Sequence, residues 1–247
     1  MSAGVTYLKF ELLRTLRNRR FSILSLVFPV IMYFLIAAPN KNNDDLGKLG
    51  IFAPQYYMVG LLGFGAMIAG LSAGARIAAE RQVGWNRQLR LTPLSPRDYF
   101  RAKVLTSYAL ILCSMVLLSI AGLILGVRIP ADQWLRMCAM VLVAAVPFAA
   151  LGIGLGHLLT TDAMGPATGF GTALFAFLGG TWFPITGSGA FVTFCKLLPS
   201  YWLVQAGQIG NNGSTNPWGT EGWIVIAVWI GATVALARWA YRRDTKR

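Results

Sequence analysis

The chain has 247 residues, of which 55% are apolar and only 13% charged, and its mean hydropathy is +0.57. An ordinary soluble domain carries about 25% charged residues, so this composition excludes a water-soluble globule and calls for lipid around much of the surface. The net charge of +13 would point to nucleic acid in a soluble protein. Here the basic residues flank apolar stretches, where they attract anionic headgroups, and no nucleic-acid partner is expected.

The first element predicted is an amphipathic interfacial helix within residues 1–20. In VTYLKFELLRTLRNRR, Val5, Leu8, Leu12, Leu13 and Leu16 recur at near-helical spacing, with Lys9, Arg14, Arg17 and Arg20 largely between them. Its apolar stripe is expected at the acyl boundary, with its basic residues turned to phosphates or a cytosolic partner. Six uncharged stretches follow, at 21–38, 53–75, 104–127, 137–156, 163–186 and 222–237. Most approach the roughly 20 residues that cross a bilayer, and helices are favoured because lipid cannot satisfy exposed backbone groups. The fold expected is an all-α membrane protein with six transmembrane helices in a single domain spanning 1–247. The first stretch is kept as a mature helix because no small-residue cleavage motif follows it.

Between the second and third spans lies AAERQVGWNRQLRLTPLSPRDYFRAK, residues 78–103. Helix can continue from Ala78 towards Leu91, but Gly84 interrupts it and Thr92-Pro93 stops it. Ser95-Pro96-Arg97-Asp98 reads as an N-cap and first turn leading into the third span. Residues 76–103 therefore predict a rigid knob on the basic side. The turn Thr160-Thr161-Asp162 predicts a hairpin of the fourth and fifth spans. Small residues four apart, Gly70 with Gly74, Gly152 with Gly156 and Gly165 with Gly169, predict close helix packing. The segment 181–220 is too long for a turn and too apolar for a hydrated loop. It predicts short helices at or dipping into the outer interface within 184–210, broken by Pro184 and Pro199.

Charge sets the expected orientation. Five basic residues precede the first span, seven lie between the second and third, and five follow the sixth, out of 22. Cytoplasmic loops carry the Lys and Arg excess, so both termini are expected on the cytoplasmic side of a plasma membrane, a bacterial one. Cys113, Cys138 and Cys195 are scattered and read as packing residues. No GxxxxGK[ST] loop exists, so ATP hydrolysis is not expected on this chain. His157 is the sole histidine and reads as a hydrogen-bonded interface residue. No carboxylate pair lies within a span, which disfavours an ion-coupled carrier.

The pattern Glu80-Arg81 with Gly84, then Leu89 and Leu91-Thr92-Pro93-Leu94, joined to Trp182-Phe183-Pro184 and Leu198-Pro199, resembles the membrane subunit of the ABC-2 transporter family, of the compact drug- and antibiotic-resistance type. The resemblance covers nearly the whole chain; Gly84-Trp85 departs from the family's usual pattern. It implies an exporter permease without catalytic, cofactor or metal residues of its own, working with a separate ATPase that holds ATP and Mg and with a second permease, identical or paralogous. It assigns coupling to Glu80, Arg81, Gly84, Arg87, Leu91 and Pro93, with Lys9, Arg14 and Arg17 on the interfacial helix. It draws a substrate pathway along Phe28, Tyr33, Phe64, Phe170, Phe175 and Phe177, and an outer gate at Trp182, Pro184 and Pro199. Such an apolar pathway suits a drug, antibiotic or lipid. A glycan-exporting permease is the alternative within the superfamily, and a membrane-embedded enzyme or ion-coupled carrier outside it.

Overall fold

The architecture is that of a computed structural model, which describes residues 3–18, 23–42, 52–85, 88, 91–185, 187–206, 209 and 217–245. Among these residues every regular element is helical. The order is α1 (Ala3–Arg17), a π-helical turn (Ile23–Val27) running into α2 (Phe28–Ala37), α3 (Ala53–Gln82), α4 (Pro96–Ile124), α5 (Ala131–Leu158), α6 (Thr161–Gly179), α7 (Ala190–Lys196), α8 (Pro199–Gln205) and α9 (Gly219–Thr245). Helices α3, α4, α5 and α9 are long and apolar enough to cross a membrane. Helix α2 has 10 residues and α6 has 19; the first apolar stretch therefore forms a shorter α-helix than the sequence predicts, and neither α2 nor α6 is among the helices long and apolar enough to cross.

Local chemistry explains several boundaries. In the first stretch, the π-helical turn gives way to α-helix just before Pro29, whose ring tolerates only the first turn of a helix. The fifth stretch was expected to run to residue 186, but α6 stops at Gly179. Gly180 adopts φ +78, and the amides of Gly180 and Thr181 donate to the carbonyls of Phe177 and Ala176, a left-handed helix stop favoured by glycine. Ser95 caps α4 as the sequence predicts: its Oγ accepts from the Asp98 amide at 3.1 Å and donates to Asp98 Oδ2 at 2.7 Å.

Helix α3 is the central post, in contact with α2, α4, α5, α6 and α8 and buried around most of its circumference. Its small edge meets that of α5: a Cβ at Gly74, Gly152 or Gly156 would strike backbone of the facing helix. In lipid, where apolar side chains gain little by leaving their neighbours, such close backbone approach supplies the attraction. This contact also corrects the expected hairpin. With the glycine edge of α5 occupied by α3, helix α6 leaves α5 after the turn and packs chiefly on α3 and α8.

Helices α7 and α8 close the pole opposite α1. The Trp202 indole donates to Lys196 O at 2.7 Å, Trp218 to Trp202 O at 2.6 Å and Trp229 to Leu197 O at 2.7 Å. Gln55 donates to Ile209 O at 3.2 Å, and the Tyr56 hydroxyl donates to Gly180 O. These bonds satisfy carbonyls that the short helices leave open and pin this cap to α3 and α9.

Candidate functional site

The ends of α1, α3, α4, α5 and α9 meet at one pole, and a cluster of paired ionisable side chains gathers there. Helix α1 lies against α4 with Glu11 and Thr15 buried, while Val5, Phe10, Leu13 and Leu16 face outward. Its inner face is therefore polar. Glu11 is buried because Lys103, itself fully enclosed, donates to Glu11 Oε1 at 2.7 Å and to Glu80 Oε1 at 2.6 Å. Glu80 also accepts from Arg14 of α1 through Oε1 and from the Tyr99 hydroxyl through Oε2, the latter at 3.0 Å. Arg76 Nε stands 3.9 Å from Glu11 Oε1.

Two carboxylates thus share one ammonium, and with Arg14 and Arg76 beside them the cluster holds three cations to two anions. Burial of such groups is tolerable only when each is paired and hydrogen-bonded. Tyr7 stacks on Tyr99 with ring centres 5.9 Å apart. Burial, reinforced by Glu80 and Glu11, holds the Tyr7 phenol well above its usual range, so it stays protonated. Together these residues fasten α1 to the start of α4 and the end of α3.

Arg81 enters a second network. Its Nε donates to Asp244 Oδ1 at 2.9 Å, and its Nη1 donates to the carbonyls of Gly156 at 3.0 Å and Leu159 at 3.2 Å. The guanidinium thus caps the C-terminus of α5, where cations are favoured. His157 Nδ1 lies 3.0 Å from Asp244 Oδ2, its ring enclosed by Phe100 and Tyr241. Helices α3, α5 and α9 are joined there.

Beyond Arg81 the chain leaves the helix. Gly84 takes φ +70, and Leu91 and Pro93 stand exposed, Leu91 at 90%. Arg87 lies outside the described residues. On α1, Lys9 and Arg17 are exposed, whereas Arg14 reaches across to Glu80. Between α1 and this loop runs an open groove of about 470 Å³, lined among others by Tyr7, Phe10, Arg14, Trp85 and Leu94.

The aromatic residues of the expected pathway fall into two sets. Phe28, Phe64 and Trp182 form a chain of rings with centres 6.1 and 5.6 Å apart, and Phe177 meets Phe183 at 5.2 Å. Phe28, Phe170 and Phe177 present open surface. Tyr33 and Phe175 instead turn into the bundle, Tyr33 donating to Pro54 O at 3.1 Å and Phe175 packing against Phe148 and Trp229. Pro184 is half-buried and Pro199, at the start of α8, is buried.

Sequence reasoning did not single out Glu11, Arg76, Tyr99, Lys103 or Asp244 for this pole. A usable signal was present: with only nine acids against 22 bases, a lone carboxylate inside a basic segment marks a site of pairing.

An all-helical bundle with long apolar helices and a cluster of buried ion pairs at one pole defines a multi-pass membrane protein. The ABC-2 type transporter family matches residues 4–210, and the chain belongs to that family. It is similar to the protein named "Putative transport permease YvfS" of Bacillus subtilis (strain 168), with 27% identity over 180 residues covering 70% of this chain and 71% of that relative.

Proposed function

We propose that this permease is the membrane subunit of an ATP-driven exporter that moves a hydrophobic or amphipathic molecule, such as a drug, antibiotic or lipid, out of the cytoplasm or inner leaflet. In this reading α2 with its π-helical turn, α3, α4, α5, α6 and α9 are the six crossings, and the pole carrying α1 is cytoplasmic, as is each terminus. ATP and Mg2+ belong to a separate ATPase subunit that docks on α1 and the loop after α3. Two permease subunits pair, and α7 with α8 covers the outer end of the pathway between them.

The observation that carries the proposal is the three-way anchorage of Glu80, bound at once by Arg14 of α1 and by Lys103 and Tyr99 of α4. A partner that binds the outer surface of α1 and the 83–95 loop therefore pushes on α3 and α4 as one body. Such a partner shifts the equilibrium of the bundle only by its differential affinity for the two arrangements. A well-anchored knob converts that difference into helix movement instead of losing it in a flexible loop. The ring chain Phe28, Phe64 and Trp182 and the open faces of Phe170 and Phe177 supply an apolar wall suited to such a cargo.

The test is co-purification of the tagged permease with candidate Walker-motif ATPases in mild detergent, comparing the native chain with Trp85→Ala combined with Leu91→Asp. Both positions are exposed, so the fold is retained, and loss of an aromatic anchor and an apolar contact should reduce ATPase recovery about tenfold or more. Equal recovery by the variant, or no ATPase retained by the native chain, rejects the docking surface.

A further inference from the structure

Helix α9 has two faces of different character. Ile226, Thr233, Ala237 and Ala240 are buried against the bundle, whereas Ile224, Val228, Ala235, Arg238, Trp239 and Arg243 are exposed. At 3.6 residues per turn these six residues share one arc of roughly 140° within the wider exposed face. Along this stripe the character changes from aliphatic between Ile224 and Ala235 to a cationic end at Arg238, Arg242 and Arg243 with Trp239 among them. Ile224 and Trp239 are separated by about 22 Å of helix rise, most of the roughly 30 Å hydrocarbon core.

The Arg243 guanidinium lies 5.5 Å from the Trp239 ring centre, so the two side chains form one surface. The carboxylate next to Arg243, Asp244, turns inward to Arg81 and His157 and leaves the charge of the outer surface positive. A soluble partner would have no need of an aliphatic stripe that grades into Trp and Arg at one end. A phospholipid has that gradient itself, with acyl chains, a glycerol level that favours Trp, and a phosphate that Arg binds by charge-assisted hydrogen bonds.

We infer that the exposed stripe of α9 is a binding site for one anionic phospholipid, with its acyl chains along Ile224, Val228 and Ala235 and its headgroup phosphate held by Arg238 and Arg243 beside Trp239. The inference rests on the membrane reading above, but not on ATPase docking or on the direction of insertion. An anionic lipid held here bears on the helix whose last turn is tied to Arg81, and so contacts the element adjoining the Glu80 anchorage.

The test is native mass spectrometry of the purified permease released from nanodiscs containing equal phosphatidylglycerol and phosphatidylcholine, for the native chain and for Arg238→Gln combined with Arg243→Gln. Each arginine near an anionic surface contributes about a factor of five in affinity, so the variant should hold phosphatidylglycerol roughly thirtyfold more weakly, while Arg238→Lys with Arg243→Lys keeps most of the binding. Matched thermal unfolding of the three proteins guards against misfolding. Equal retention of the two lipids by the native chain overturns the site, as does undiminished phosphatidylglycerol on the Gln variant. Displacement by an equal concentration of soluble glycerol phosphate also overturns it, since that would make it a phosphate site. The count requires neither ATPase nor transport, so its failure leaves the permease reading standing.

Discussion

Glu80 and Arg81 are consecutive residues that serve different neighbours. Glu80 is gripped by Arg14, Lys103 and Tyr99, while Arg81 spans to Asp244 and to the carbonyls of Gly156 and Leu159. One turn at the end of α3 therefore fixes α1 and α4 on one side and α5 and α9 on the other. Any force applied at the 83–95 loop reaches four helices within two residues of chain.

Lys103→Met should be severely destabilising. It leaves Glu11 and Glu80 buried without their shared ammonium, and breaking a buried pair typically costs about 3–5 kcal/mol. Thermal unfolding in detergent measures this, and adding Glu11→Gln should recover part of the loss by removing one orphaned charge. An unchanged midpoint for Lys103→Met would show that Arg14 and Arg76 balance both carboxylates without it.

Two glycines of similar sequence context should respond oppositely to Val. At Gly74 a Cβ meets the Gly152 backbone, whereas a Cβ at Gly165 meets nothing within 4 Å. Gly74→Val should therefore destabilise the α3–α5 contact by at least about 1–3 kcal/mol through overpacking, and Gly165→Val should leave the protomer's melting unchanged. If the open face of α6 receives the second permease, Gly165→Val instead lowers the dimer fraction in size-exclusion chromatography. An unaltered fraction would place the pairing surface elsewhere.

Gly84→Val forces a β-branched residue to adopt φ +70, a cost of roughly 1–2 kcal/mol. The loop should relax away from its present turn, raising the rate of limited trypsin cleavage between residues 83 and 95 without shifting the melting of the bundle. Unchanged cleavage would indicate that the turn absorbs the side chain.

Asp244→Asn weakens the tie to Arg81 and changes the partner of His157 Nδ1. The last turn of α9 should fray, with amide exchange over residues 238–244 accelerating about tenfold or more while the rest of the helix keeps its protection. Loss of protection across the whole of α9 would show that the single carboxylate organises the entire helix.

The four long apolar helices α3, α4, α5 and α9 were legible because uncharged length is a bulk property, read without knowing any contact. Their ends were less so. Gly179-Gly180 and Pro184 are both stop signals in this run, and local sequence does not choose between them; the Tyr56 hydroxyl reaches the Gly180 carbonyl from 124 residues away. The π-helical turn before Pro29 was equally silent. Glu80 and Arg81 stood out through their motif, but Arg14 and Asp244 pair with them from 66 and 163 residues away, beyond what a local sequence pattern can join. The amphipathic reading of α1 followed its apolar stripe, of which Val5, Leu13 and Leu16 face outward, and missed that Glu11 lies on the protected face, because a hydrophobic stripe is normally the face that proteins cover.

The 163-residue separation of Arg81 from Asp244 also orders events at the ribosome. Glu80 finds Lys103 only 23 residues later, so the clasp between α1, α3 and α4 is available while the chain is still being made. At about 5–20 residues per second, the carboxylate for Arg81 emerges on the order of ten to thirty seconds after Arg81 itself. Until then the guanidinium has only the carbonyls at the end of α5 to hold. Helix α9 therefore closes the pole that carries α1, and a chain stalled before residue 244 is left with a bundle assembled on one side and unlatched on the other.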